Sequence, residues 1–197
     1  MQMKRTTLAI AGLLFALAGC GRENAATAPP GVIELSDQFS SEFVLVDQNG
    51  APSRDEDFRG KVMVVYFGYT NCPDVCPIDV AVLSAALNEL GDSASEVAPL
   101  FISVDPERDT PEALKAYLSF DPRLTGLTGS VEAAKAARDS FKLYARKQEQ
   151  ADSALGYTVD HGRFFYVVDR DGRPVYAITG GADPQELAVM LRRSIKS

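Results

Sequence analysis

Tryptophan is absent from this chain, histidine occurs once and cysteine three times. A site built from clustered imidazoles is thereby excluded. Basic residues are outnumbered, 20 Lys and Arg against 27 Asp and Glu for a net charge of −7. No basic patch points to nucleic acid, and the acidity speaks only for solubility and a basic partner surface. No internal repeat and no second linker divides the chain. The N-terminal apolar run, Leu8 to Ala18, is too short to serve comfortably as a permanent membrane helix, which takes about 20 residues.

That run has a different use. Lys4 and Arg5 precede it and Leu17-Ala18-Gly19-Cys20 follows it, the layout of a secretory signal with small residues before the cut. LAGC resembles a bacterial lipoprotein box, in which the cysteine is lipidated and becomes the mature N-terminus; the plainer alternative is an ordinary signal with an incidental cysteine. We read residues 1–19 as the signal, Cys20 as the lipid anchor, residues 20–33 as a flexible Ala/Pro/Thr-rich tether and residues 34–197 as one domain with a full hydrophobic core. Cleavage removes two basic residues, so the mature charge is 18 − 27 = −9. An even pair of cysteines, Cys72 and Cys76, remains in a compartment where thiols tend to be oxidised.

Within the domain, Phe43 to Val46 and the turn Asn49-Gly50 predict a short hairpin or excursion before the main sheet. Val62 to Phe67 and Leu100 to Val104 are uninterrupted apolar runs, as strands covered on both faces require. Val80, Leu83, Leu87 and Leu90 recur at helical spacing and Gly91 stops them. Thr110-Pro111 starts a second helix. A third is predicted from Ser130 to about Tyr144, burying Val131, Ala134, Phe141 and Leu143 at least in part. Phe164 to Val168 and Val175 to Ile178 flank Asp171-Gly172 as a hairpin. Asp183-Pro184-Gln185-Glu186 opens a last helix whose inner face is Leu187, Met190, Leu191 and Ile195. Alternating strands and helices predict right-handed crossovers and a mixed sheet between helices, an α/β order that a thioredoxin-like three-layer fold fits.

The chemistry is concentrated in Cys72-Pro73-Asp74-Val75-Cys76-Pro77, directly after the first apolar strand. A residue before proline is pushed from the α region, and Pro77 suits the first helical position. Cys76 is therefore expected as the N-cap and Cys72 on the loop. Unpaired N–H groups at a helix start favour thiolate, the form needed for metal ligation and nucleophilic attack. The alternative, a structural disulfide or two inert thiols, is disfavoured because structural bridges usually clip distant segments. His161 precedes an apolar strand, on an expected loop beside Asp160 and Gly162. Two thiolates and an imidazole suit copper, since soft sulfur selects Cu(I) and imidazole accepts Cu(II) as well. A structural zinc site would want a fourth ligand.

Phe67-Gly68-Tyr69-Thr70-Asn71-Cys72-Pro73-Asp74-Val75-Cys76-Pro77, the segment SVDPERDTPE from Ser103 to Glu112, GLTG from Gly126 to Gly129 and YTVDH from Tyr157 to His161 together resemble the Sco/SenC family of copper chaperones. The resemblance covers essentially the whole mature domain in order. It implies a thioredoxin fold, copper bound by Cys72, Cys76 and His161, and a membrane-tethered protein of the bacterial envelope facing the periplasm. It also implies assembly of the binuclear copper centre of cytochrome c oxidase, with the copper-bearing subunit or another copper chaperone as partner. Two departures stand out: Asn71 where many members carry His, and Gly162 where Ser or Thr is usual. In SVDPERDTPE, Asp105 and Arg108 either shape the site or merely end a strand and cap a helix, while Asp160 either orients the His161 ring or points away. Tyr66, Phe67 and Tyr69 are expected in the core or lining the cleft. Copper transfer is ligand exchange, not enzymatic turnover. The competing activity is thiol–disulfide exchange that reduces the oxidase's copper-site cysteines, for which His161 is dispensable.

Overall fold

Both uninterrupted apolar runs become central strands. A computed structural model describes residues 29–150 and 156–197; the signal, Cys20 and the tether as far as Thr27 and Ala28 lie outside them. The described N-terminal half contains strands β1 (Val32–Glu34), β2 (Val44–Asp47), β3 (Pro52–Arg54), β4 (Val62–Gly68) and β5 (Val97–Ser103), with helix α1 (Val75–Leu90) between the last two. Then come α2 (Pro111–Tyr117), β6 (Thr125–Thr128), α3 (Val131–Ser140), β7 (Ala145–Glu149), β8 (Tyr157–His161), β9 (Phe164–Val168), β10 (Pro174–Thr179) and α4 (Pro184–Lys196).

An eight-stranded sheet runs in the order β1-β10-β9-β4-β5-β6-β2-β3. β4, β5 and β6 are parallel, joined by α1 and α2 crossovers, and the flanking strands pair antiparallel. Every residue of β4 and β5 is buried, which is why neither shows polar alternation. α1 packs on α4, while α2 and α3 lie against β6 and β2. The helix starts follow their caps: Thr110, Ser130 and Asp183 accept from the N–H groups of Ala113, Ala133 and Gln185, each satisfying one otherwise unpaired donor. The α4 inner face is as expected, with Leu187, Met190 and Leu191 buried and Ile195 packed against them.

Several boundaries differ from expectation. Val32 and Ile33, assigned to the tether, are the first residues of β1 and pair with Ile178 and Ala177. The β2–β3 hairpin is no separate excursion, because β2 continues the main sheet through Val46↔Thr128 and Asp47↔Leu127. Its turn is held by the Asp47 carboxylate, which accepts from the N–H groups of Asn49 and Ala51, and Gly50 supplies the positive φ of 81°. α3 ends at Ser140, where Lys142 turns the chain with φ 52°; Phe141 and Leu143 are buried from that turn, and Val131 is 48% exposed. GLTG contributes strand β6, and β7 with β8 forms a separate two-stranded sheet. Neither was anticipated as strand.

Candidate metal centre

β4 ends at Gly68 and delivers the chain into the loop that carries Cys72, whose N–H donates to the Tyr69 carbonyl at 3.2 Å. α1 starts at Val75 with Asp74 as its N-cap residue, so Cys76 lies inside the first turn and is not the cap. Pro77 is tolerated there because N–H groups of a first turn have no intrahelical acceptor to lose. Both thiols are buried and unbridged. They do not share the thiolate character expected of a helix start. Hydrogen bonding from Cys76, aided by His161, holds Cys72 far below the usual thiol range against the opposing effect of burial. The same hydrogen bond and burial push Cys76 far above it. The two thiols titrate as a pair, the first proton leaving far more readily than the second.

His161 is the last residue of β8, not a loop residue, and pairs with Ala145 of β7. Its Nε2 lies 3.5 Å from Cys76 Sγ, so the fold joins residues 85 positions apart. Nδ1 lies 3.0 Å from the Gly162 carbonyl. A carbonyl only accepts, so Nδ1 carries a proton, and Nε2 is the ring atom that faces the thiols. Tyr66 and Tyr69 meet the imidazole edge-on at 6.4 and 6.1 Å, and the Val159 N–H donates to the Tyr69 hydroxyl. Tyr66, Phe67 and Tyr69 are all buried. Asp160 points away and accepts from Gln148 Nε2 at 2.8 Å; the Gly162 carbonyl takes the orienting role considered for it. Asn71 is exposed and donates to Thr70 Oγ1.

The SVDPERDTPE segment supports the site without lining its cleft. Asp105 is buried, ion-pairs with Arg108 and accepts the Tyr157 hydroxyl at 2.8 Å. The Arg108 guanidinium sits 3.7 Å from the Tyr157 ring centroid and donates to the Tyr157 carbonyl. These contacts fix the first residue of β8, whose last residue is His161. Asp109 accepts from the backbone and hydroxyl of Thr70 and from Ser103 Oγ at 2.6 Å, anchoring the loop two residues before Cys72. Two further residues belong here and escaped the sequence reading: Asp79 and Arg163, which ion-pair behind Cys76. The available signal was a charge at position 79 on the same helical face as Cys76, Val80, Leu83 and Leu87.

The donor set fits a soft metal ion in its chemistry. Among the described residues, no three His, Cys, Asp or Glu side chains form a ready-made metal cage. The 3.5 Å between Cys76 Sγ and His161 Nε2 is nevertheless the span of two ligands that each stand roughly 2.0–2.3 Å from a common ion. An open cleft of about 430 Å³, lined by Pro73, Asp74 and Thr158 among others, opens onto Cys72 and His161.

A dithiol at the first helix after the innermost strand, with an imidazole returned to it by a distant hairpin, defines a thioredoxin-like protein carrying a thiol–imidazole site. More narrowly, the chain belongs to the SCO1/SenC family, whose model matches residues 33–196. It is 38% identical over 157 residues to the mitochondrial protein SCO2 of Saccharomyces cerevisiae, covering 79% of this chain and 52% of that protein. The match thus spans about half the yeast protein's length. A SCO2-like protein of Rickettsia conorii is 33% identical, with 82% of this chain and 79% of that protein covered. Among solved structures, copper-bound ScoI of Bradyrhizobium japonicum superposes with a TM-score of 0.73 at 42% identity, covering 79% of this chain and 99% of the other. Copper-bound yeast Sco1 gives 0.74 at 34% identity, with 81% and 90% covered.

Proposed function

We propose that this chain is a copper carrier of the bacterial envelope, anchored through Cys20 and facing the periplasm, that serves assembly of the binuclear copper centre of cytochrome c oxidase. The observation that carries the reading is the 3.5 Å approach of His161 Nε2 to Cys76 Sγ beside a second thiol. Copper is cargo here. Cys72, the readier of the two to lose its proton, offers the first sulfur, Cys76 joins on losing its own, and His161 supplies the nitrogen while Gly162 holds its other ring atom. Soft thiolates retain Cu(I), and the imidazole keeps Cu(II) accessible. The open cleft lets a partner's ligands replace these one at a time, whether that partner is the oxidase's copper-bearing subunit or another copper chaperone. The bound copper-containing relatives support the cargo assignment.

The uneven proton distribution supports a second reading. A thiolate at Cys72 with a thiol at Cys76 is the arrangement for attack on a partner disulfide, ending with a Cys72–Cys76 disulfide and a reduced partner. One experiment separates the two. The reduced full chain in detergent is titrated anaerobically with Cu(I) against a competing chelator, beside His161→Ala and Cys72→Ser/Cys76→Ser. The carrier reading expects one tightly held copper per chain, weakened about 10- to 100-fold without His161 and abolished without the thiols. Binding indifferent to His161 would leave thiol–disulfide exchange as the function.

A further inference from the structure

Asp79 follows Cys76 by about one turn of α1, and its carboxylate is fully buried. Such a charge is costly to desolvate unless paired and hydrogen-bonded, and here both oxygens are occupied. Oδ1 accepts from Arg163 Nη2 at 2.7 Å and from the Gly181 N–H at 2.8 Å. Oδ2 accepts from Arg163 Nε at 2.5 Å and from the Tyr66 hydroxyl at 2.9 Å. The guanidinium therefore grips the carboxylate with two parallel donors, a geometry that lysine cannot reproduce.

Arg163 stands two residues after His161 on the β8–β9 connection. Its backbone carbonyl accepts from the Gly180 N–H at 2.8 Å. Glycine makes room for its side chain, since a Cβ at Gly180 would lie 2.2 Å from Arg163 Cγ. Tyr66 closes the circuit: its hydroxyl donates to Asp79, and its ring meets the imidazole edge-on. One hydrogen-bonded network thus joins the helix turn that carries the thiol to the connection next to the imidazole. Buried ion pairs contribute little net stability compared with apolar packing, and their better-attested use is to fix register.

We infer that the Asp79–Arg163 pair is a positioning device for the metal centre, locking the first turn of α1 to the β8–β9 connection so that His161 stays at Cys76 while copper is held. The inference rests on the copper reading above. Its test is a double-mutant cycle on the full chain in detergent, with Cu(I) affinity read by chelator competition in the His161 and His161→Ala backgrounds. A group that acts through the imidazole loses its effect once the imidazole is gone, whereas a group that only stabilises the fold does not. Arg163→Gln is expected to weaken Cu(I) binding about 5- to 20-fold with His161 present and less than about twofold without it. Arg163→Lys, which keeps the charge and loses the fork, is expected to fall between wild type and Arg163→Gln.

If Arg163→Gln does not fold, the uncharged pair Asp79→Asn/Arg163→Gln carries the same cycle with no buried charge left alone. Equal losses in both backgrounds, or no loss in either, would overturn the inference and leave the carrier reading intact. Wild-type binding that ignores His161 would overturn both.

Discussion

Two thiols within hydrogen-bonding reach do not give up their protons at equal cost. The first loss leaves a sulfur anion that the remaining S–H stabilises; the second must create a like charge beside it in a buried place. At Cys72 and Cys76 exposure breaks the tie, since Cys72 borders the cleft and Cys76 is fully buried. The hydrogen bond from Cys76, with His161 second among the favourable contacts, lowers Cys72. A lowered acid ionises at lower pH, so Cys72 should be alkylated by iodoacetamide at a rate nearly independent of pH across the range from about 5 to 7. Cys76→Ala removes the main stabilising donor. Labelling of Cys72 should then rise with pH, its midpoint displaced toward the ordinary thiol value of about 8.5. Mass spectrometry of the labelled peptide resolves the two cysteines. A flat profile in both proteins would show that Cys76 does not control Cys72.

At the scale of elements, the site depends on α1 keeping its place beside the sheet. Asp121, in the turn between α2 and β6, contributes to this from outside the site. Its buried carboxylate accepts from Arg123 Nε at 2.8 Å and from Ser84 Oγ of α1 at 2.6 Å. Arg123 also reaches Asn88 of the same helix. Chiefly because of Arg123, and with help from Ser84, Asp121 is pushed down to about 2. A lowered carboxylate contributes stability that is complete above about pH 4 and is lost as pH falls through about 2. Asp121→Asn should therefore cost about 1–2 kcal/mol at about pH 7, discounted for the half-open guanidinium, and much less at about pH 2. Urea unfolding at both pH values measures the difference; a cost independent of pH would assign the effect to packing. Sequence served unevenly at this scale. The runs at Val62 and Leu100 announce themselves because doubly covered strands exclude polar residues, and the caps Thr110 and Asp183 carry local chemistry. β7, Ala-Arg-Lys-Gln-Glu, has no apolar face because among the described residues it pairs with β8 alone, at the surface, so nothing marks it as strand. With β7 hidden, His161 reads as loop. The motif pointed to Cys72, Cys76 and His161, and the fold brings His161 to Cys76. Asp79 and Arg163 are 84 positions apart, and only the tertiary structure pairs them.

The whole molecule is an open sheet with two ends, each closed by a three-residue strand, β1 beside β10 and β3 beside β2. Short edge strands limit pairing between molecules. The β1 end matters more for the limits of the domain. Val32 to Glu34 pair with Ile178 to Tyr176, the Gly31 carbonyl accepts from the Thr179 N–H at 2.9 Å, and the Leu35 N–H donates to Val175 at 3.0 Å. Composition cannot reveal this, because Gly31-Val32-Ile33 reads as the end of a polar tether until β10 is there to receive it. A domain cut at Leu35 loses these backbone bonds and bares the β10 edge, under which Ala177 and Ile178 are buried. Few hydrogen bonds go, each with a net value of about 0.5–1.5 kcal/mol, so the core should survive with less stability. For a chain of this size the melting temperature should fall by about 3–8 °C relative to a chain beginning at Pro29. The shortened chain should also self-associate in sedimentation velocity as its free edge finds partners. Equal melting temperatures and a clean monomer in both would mean that β1 only rests on the sheet, and that the domain begins after it.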